Sequence, residues 1–167
     1  MKHKRLFIII LLGICLTLLI SSSMTYRQQT SVPILQQLLA HKPFYNKLTG
    51  IHFNYGGQVI SIQASGYFKF IEFFVRKGAH FLTYFVLGLS AMFGLADRVR
   101  GRWFAAILFW LAATGFAATD EFHQMLTGDR TPLFQDVMLD SIASLLGILL
   151  AWLFLHRKSK KLQASIE

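Results

Sequence analysis

The chain has 167 residues, of which 54% are hydrophobic and only 15% charged, with sixteen phenylalanines and a formal charge of +9. This length holds one domain rather than two, and so low a charge share excludes an ordinary water-soluble fold. The positive charge does not indicate a nucleic-acid partner, because the basic residues cluster at the ends of apolar runs, where they report membrane topology.

Residues 1–24 begin with Lys2, Lys4 and Arg5, continue through an apolar run from Leu6 to Ile20 and end in Ser21-Ser22-Ser23. That order suits an uncleaved anchor and also a cleavable signal peptide, with Ser21 and Ser23 spaced as a small-x-small cleavage site. Retention is the reading adopted, because it supplies a fourth span. Cys15 is the lone cysteine and makes no internal disulfide. Ile14 stands where a lipoprotein signal needs a small residue, so Cys15 is read as packing or facing lipid.

Residues 25–66 read as an extracytoplasmic insert. Ser31, Pro33 and the run from Ile34 to Leu39 predict a short helix capped by Ser31 and amphipathic enough to lie on a membrane surface. Ile51 to Tyr55 and Gln58 to Ile62 flank Gly56-Gly57, which predicts a hairpin. Phe53 then pairs with Ile60 and Ile51 with Ile62, giving one apolar face. The insert is expected to cover the outer end of a helical bundle.

Residues 67–156 read as a three-helix transmembrane domain, with helix from Tyr67 leading into the first of its spans. Ala79 to Ala96, Trp103 to Thr119 and Val137 to Leu155 each suffice for a hydrocarbon core of ~30 Å. None alternates polar and apolar faces as a soluble bundle would. Residues 157–167 form a basic tail. The predicted fold is an all-α membrane protein of four transmembrane helices with a small extracytoplasmic insert, a short helix plus a hairpin.

Three basic clusters fix the expected orientation: Lys2, Lys4 and Arg5; Arg98, Arg100 and Arg102; and Arg157, Lys158, Lys160 and Lys161. With four spans they share one side, and the positive-inside rule makes that side the cytoplasm. Both termini are therefore expected inside, with Trp103 and Trp152 near the inner interface. Small residues four apart let helix backbones approach in lipid. Ala143, Gly147 and Ala151 form such a stripe; Ser90 with Gly94 and Ala113 with Ala117 are shorter versions that chance explains equally well.

This topology gathers scattered polar residues at the outer end of the bundle. Lys77, His80 and Tyr84 share a helix face at the start of the second span. Asp120, Glu121, His123 and Gln124 end the third. Asp129, Arg130, Asp136 and Asp140 occupy the following loop and the start of the fourth. Ionisable groups at the edge of a span tend to face a cavity or one another. Carboxylates at a helix C-terminus oppose its dipole, so Asp120 and Glu121 call for a cationic partner, and Arg130 or Lys77 is the obvious one. Plainer readings exist: His80 suits a packed histidine, Arg76 and Lys77 suit interfacial snorkelers, and Asp136 suits a helix N-terminus. His80, Asp120, His123, Asp136 and Asp140 also make a mixed nitrogen and oxygen donor set. They lack a tight ligand spacing, so no metal and no cofactor are expected.

At these residues the sequence resembles the VanZ-like family of bacterial membrane proteins. The matching stretches are Arg76-Lys77-Gly78-Ala79-His80-Phe81 with Tyr84 and Gly88, then Asp120-Glu121-Phe122-His123-Gln124, then Gly128-Asp129-Arg130, and Asp136 with Asp140. Order and spacing agree across residues 70–155. The sequence departs from the family near Asp140, where members often carry Asn, and near Ser144, where they often carry Gly. The resemblance implies a cell-envelope role and reduced susceptibility to teicoplanin, a glycopeptide antibiotic.

Lys77, His80, Tyr84, Asp120, Glu121, His123, Gln124, Arg130, Asp136 and Asp140 are thus the expected functional cluster. The expected partners are the lipid bilayer and a lipid-linked cell-wall precursor or the glycopeptide. A binding protein is favoured. An intramembrane enzyme acting on a lipid head group is the alternative, and a transporter is disfavoured because the inner halves of the spans lack polar residues.

Overall fold

The computed structural model describes residues 2–127 and 132–163, with side chains from residue 3 to 127 and 132 to 157. The elements run α1 (Lys2–Ser22), α2 (Tyr26–Gln29), α3 (Val32–Leu38), α4 (Tyr45–Leu48), β1 (His52–Tyr55), β2 (Gln58–Ser61), α5 (Ile62–Ser65), α6 (Tyr67–Leu95), α7 (Arg102–Leu126) and α8 (Phe134–Gln163). Among them, α1, α6, α7 and α8 are long and apolar enough to cross a membrane. Their outer faces carry side chains such as Leu12, Leu111 and Ile142, all exposed, as a lipid-facing surface requires.

The spans associate through small residues. Ala143 and Ala151 are fully buried, and a Cβ on Gly147 would lie 2.1 Å from the Phe85 carbonyl oxygen. Gly88 meets the Ser144 carbonyl from the other side, at 2.2 Å from such a Cβ. The α6 and α8 backbones therefore touch, an approach that any side chain would block. Ala113 and Ala117 are buried against Leu18, Tyr84 and Ala143. Gly94 instead admits α1, beside Ile8. At the opposite end from the insert, Lys4 pairs with Asp97, Trp103 packs on Trp152 with ring centroids 4.4 Å apart, and Arg102 donates to the Leu155 carbonyl.

The hairpin forms with Phe53 opposite Ile60, as the alternation predicts, and Gly56 and Gly57 supply the two positive φ angles of its turn, +57° and +80°. The ladder ends one pair earlier than expected, at His52 and Ser61. The Ser61 hydroxyl accepts the Ala64 N–H and starts α5, so Ile62 leaves the strand and packs with Tyr67 and Phe70. A second expectation is also corrected. Ser31 precedes α3 but makes no side-chain cap; its N–H and its hydroxyl both donate to Glu72 on α6. A buried carboxylate is the stronger acceptor, and it draws the segment onto α6, where Leu35 is buried.

Candidate functional site

The end of the bundle nearest the insert combines the start of α6, the end of α7 and the start of α8. On α6, the i, i+3, i+4 pattern puts Lys69, Glu72, Phe73, Arg76, Lys77 and His80 along one stripe. Lys77 Nζ donates to Asp136 Oδ1 at 2.5 Å, and the Tyr55 hydroxyl of β1 donates to the same oxygen at 2.5 Å. Lys77 also lies 4.9 Å above the Tyr55 ring. One turn deeper, His80 Nδ1 is 3.3 Å from Asp140 Oδ2, and the His80 and Tyr84 rings lie nearly parallel. Burial, reinforced by the Asp136 carboxylate, pushes the Tyr55 phenol well above its ordinary value.

Behind these contacts lies a buried polar layer. Tyr84, Asp120 and Asp140 are almost wholly enclosed, and Tyr84 Oη, Asp120 Oδ1 and Asp140 Oδ1 have no hydrogen-bond partner among the described residues. Asp120 accepts from Gln124 Nε2 at 3.0 Å. No group of three or more His, Cys, Asp or Glu among the described residues is disposed to hold a metal ion.

Of the two cations expected to partner Asp120 and Glu121, Lys77 pairs with Asp136 instead, and Arg130 lies outside the described residues. Glu121 Oε1 accepts the Leu133 N–H at 2.8 Å. That N–H belongs to the segment just before α8. His123 turns toward α1, where its Nδ1 is hydrogen-bonded with the Ser22 hydroxyl at 2.9 Å. Asp129 and Arg130 lie outside the described residues.

Glu72 went unnoticed in the sequence. It is 2% exposed and accepts from the Tyr26 hydroxyl at 2.7 Å, the Thr30 hydroxyl at 2.8 Å and the Ser31 N–H at 2.5 Å. An acid inside the aromatic run Phe68 to Phe74, four residues before Arg76, is the signal that pointed to it. Tyr26 is in turn covered by the Arg76 guanidinium, whose carbon lies 5.0 Å from the ring centroid.

Between hairpin, α6, α7 and α8 lies an open cavity of about 330 Å³, bordered by Tyr26, Tyr55, Lys69, Arg76, Glu121 and Asp136. A narrow recess of about 20 Å³ nearby is lined by His80 and Asp140 as well as Arg76 and Lys77. Cations and carboxylates thus face one another around a space sized for a small ligand or head group.

No curated protein and no solved structure matches the chain. The VanZ/LLP1 family model covers residues 7–155, from the first span to the last and including every element that builds the cavity. Four apolar spans, their small-residue contacts and this match agree: the chain belongs to the VanZ/LLP1 family, as a multi-pass membrane protein of the cell envelope.

Proposed function

We propose that the protein lowers susceptibility to glycopeptide antibiotics such as teicoplanin by binding a lipid-linked or cell-wall ligand in the insert-side cavity. The orientation that goes with this reading puts both termini in the cytoplasm and the cavity outside, where cell-wall precursors and antibiotic meet. The observation that carries it is the cavity itself, with charged side chains from α6, α7 and α8 facing one space of about 330 Å³. In this reading Lys77, His80, Tyr84, Asp120, Glu121, Gln124, Asp136 and Asp140 build or support the site, and Arg130 belongs to it by its position in the chain.

The test compares membrane abundance and teicoplanin susceptibility in the same cells for His80→Ala and Asp120→Asn. Insertion depends on the apolar spans, so abundance should hold while protection is lost. A parallel fall in both would assign these residues to scaffold and sink the reading. An intramembrane enzyme acting on a lipid head group is the second reading, favoured by His80 and Asp140 lying 3.3 Å apart on the narrow recess. Turnover of a labelled lipid by purified protein, abolished by Asp140→Asn, distinguishes it.

A further inference from the structure

The charged groups around the cavity are not equally committed. Lys77 is bound to Asp136, and both oxygens of Glu72 are occupied by Tyr26, Thr30 and Ser31. Lys69 and Arg76 also border the cavity, and neither forms an ion pair with a described residue. They are two turns apart on the same stripe of α6. Glu121 and Asp136 border the cavity from α7 and α8, and Glu72 on α6 is occupied by three donors, so the cations left for an anion are Lys69 and Arg76.

Arg76 is held ready for such a ligand. Its guanidinium sits over the Tyr26 ring, and that ring is fixed by the hydroxyl's hydrogen bond to Glu72. Packing over an aromatic ring occupies the face of the guanidinium and leaves its N–H edges for an acceptor, the geometry that suits a phosphate fork. Depth points to the source of that phosphate. The span containing α6 runs 32 residues, about 48 Å, against a hydrocarbon core of ~30 Å. Its first turns therefore stand proud of the core. Arg76 lies just before the apolar run that opens at Ala79, the place along a span where a basic side chain reaches the head-group region. Phe74 and Val75, both exposed, offer apolar surface beside it.

Resting on the ligand-site reading above, we propose that Lys69 and Arg76 form a phosphate subsite for a membrane-embedded phospholipid or lipid-linked phosphate. The test uses the full chain purified in detergent and two probe pairs: a polyprenyl phosphate with its unphosphorylated polyprenol, and a phosphatidylglycerol with the matching diacylglycerol. Native mass spectrometry with titration gives the affinities. At least one phosphorylated probe should bind about tenfold or more tightly than its neutral partner, and Lys69→Gln with Arg76→Gln should erase that ratio. Arg76→Lys should keep part of it. A variant that merely misfolds loses both members of a pair, whereas loss of the subsite removes only the preference.

Equal affinity for phosphorylated and neutral probes in the wild type would overturn the subsite and leave the ligand site standing. Binding of no probe would overturn both. Displacement of the lipid by inorganic phosphate at equal concentration would overturn the membrane source.

Discussion

Tyr55 at the end of β1 and Asp136 in the first turn of α8 are joined by a 2.5 Å hydrogen bond across 81 residues of sequence. The same carboxylate oxygen receives Lys77 from α6, so one acceptor ties the hairpin to two spans. A second carboxylate, Glu72, does the corresponding work for the segment from Tyr26 to Ser31.

Tyr55→Phe removes one donor to a charged acceptor and should cost about 1.5–3 kcal/mol of stability, read as a lower melting temperature in detergent. The raised phenol value sets the pH dependence. The folded protein holds the Tyr55 proton more tightly than the unfolded chain does, so this contribution is complete below pH ~10 and lost as pH rises further. The gap between wild type and Tyr55→Phe should thus stay constant from pH 7 to 9 and close above pH ~10. A gap that changes between pH 7 and 9 would contradict this assignment.

Glu72→Ala leaves the Tyr26 and Thr30 hydroxyls and the Ser31 N–H without their acceptor, a loss of about 3 kcal/mol or more. The segment should detach from α6, and trypsin should cleave after the exposed Arg27 much faster than in wild type. Glu72→Gln keeps an acceptor and should fall between the two. Unchanged cleavage in Glu72→Ala would show that Leu35 alone holds the segment.

Gly147→Ala and Gly88→Ala place a methyl group within about van der Waals overlap of backbone on the facing helix, 2.1 Å from Phe85 O and 2.2 Å from Ser144 O. Each should cost ~1–3 kcal/mol or more, visible as a sharp fall in folded protein. Gly78→Ala and Gly115→Ala meet open space and should be neutral or slightly stabilising. Equal tolerance at all four positions would mean that α6 and α8 are not in backbone contact in the membrane.

A reporter enzyme active only inside the cell should work when fused after Glu167, and one active only outside should work when inserted in the Gly56-Gly57 turn. The three basic clusters motivate both expectations. The reverse pattern would turn the cavity toward the cytoplasm and remove the basis for an extracytoplasmic ligand.

Spans and hairpin were legible because their signals are local. An apolar run, a Gly-Gly turn and a small-residue stripe each announce themselves within a few neighbouring residues. The stripe of Ala143, Gly147 and Ala151 proved to be the α6 contact, and Phe53 met Ile60 as the alternation required. Among the described polar residues, Lys77 took a partner other than the one expected. Lys77 had several carboxylates within its reach, and only three-dimensional register selects Asp136 over Asp120. Glu72 escaped notice because its partners lie more than forty residues upstream in a segment without periodicity. The Ser31 cap failed for the same reason: a local rule lost to a distant carboxylate.

All three prolines, at 33, 43 and 132, stand outside the long helices, and α6 runs 29 residues without a break. One stiff rod therefore carries the anchor of the insert near one end, while its other end leads straight into the turn whose Asp97 pairs with Lys4. The rod has no joint to absorb a tilt. The segment held by Glu72 is thus joined through one unbroken helix to the far end of the bundle, where Asp97 meets Lys4, while the hairpin is held by α8 as well.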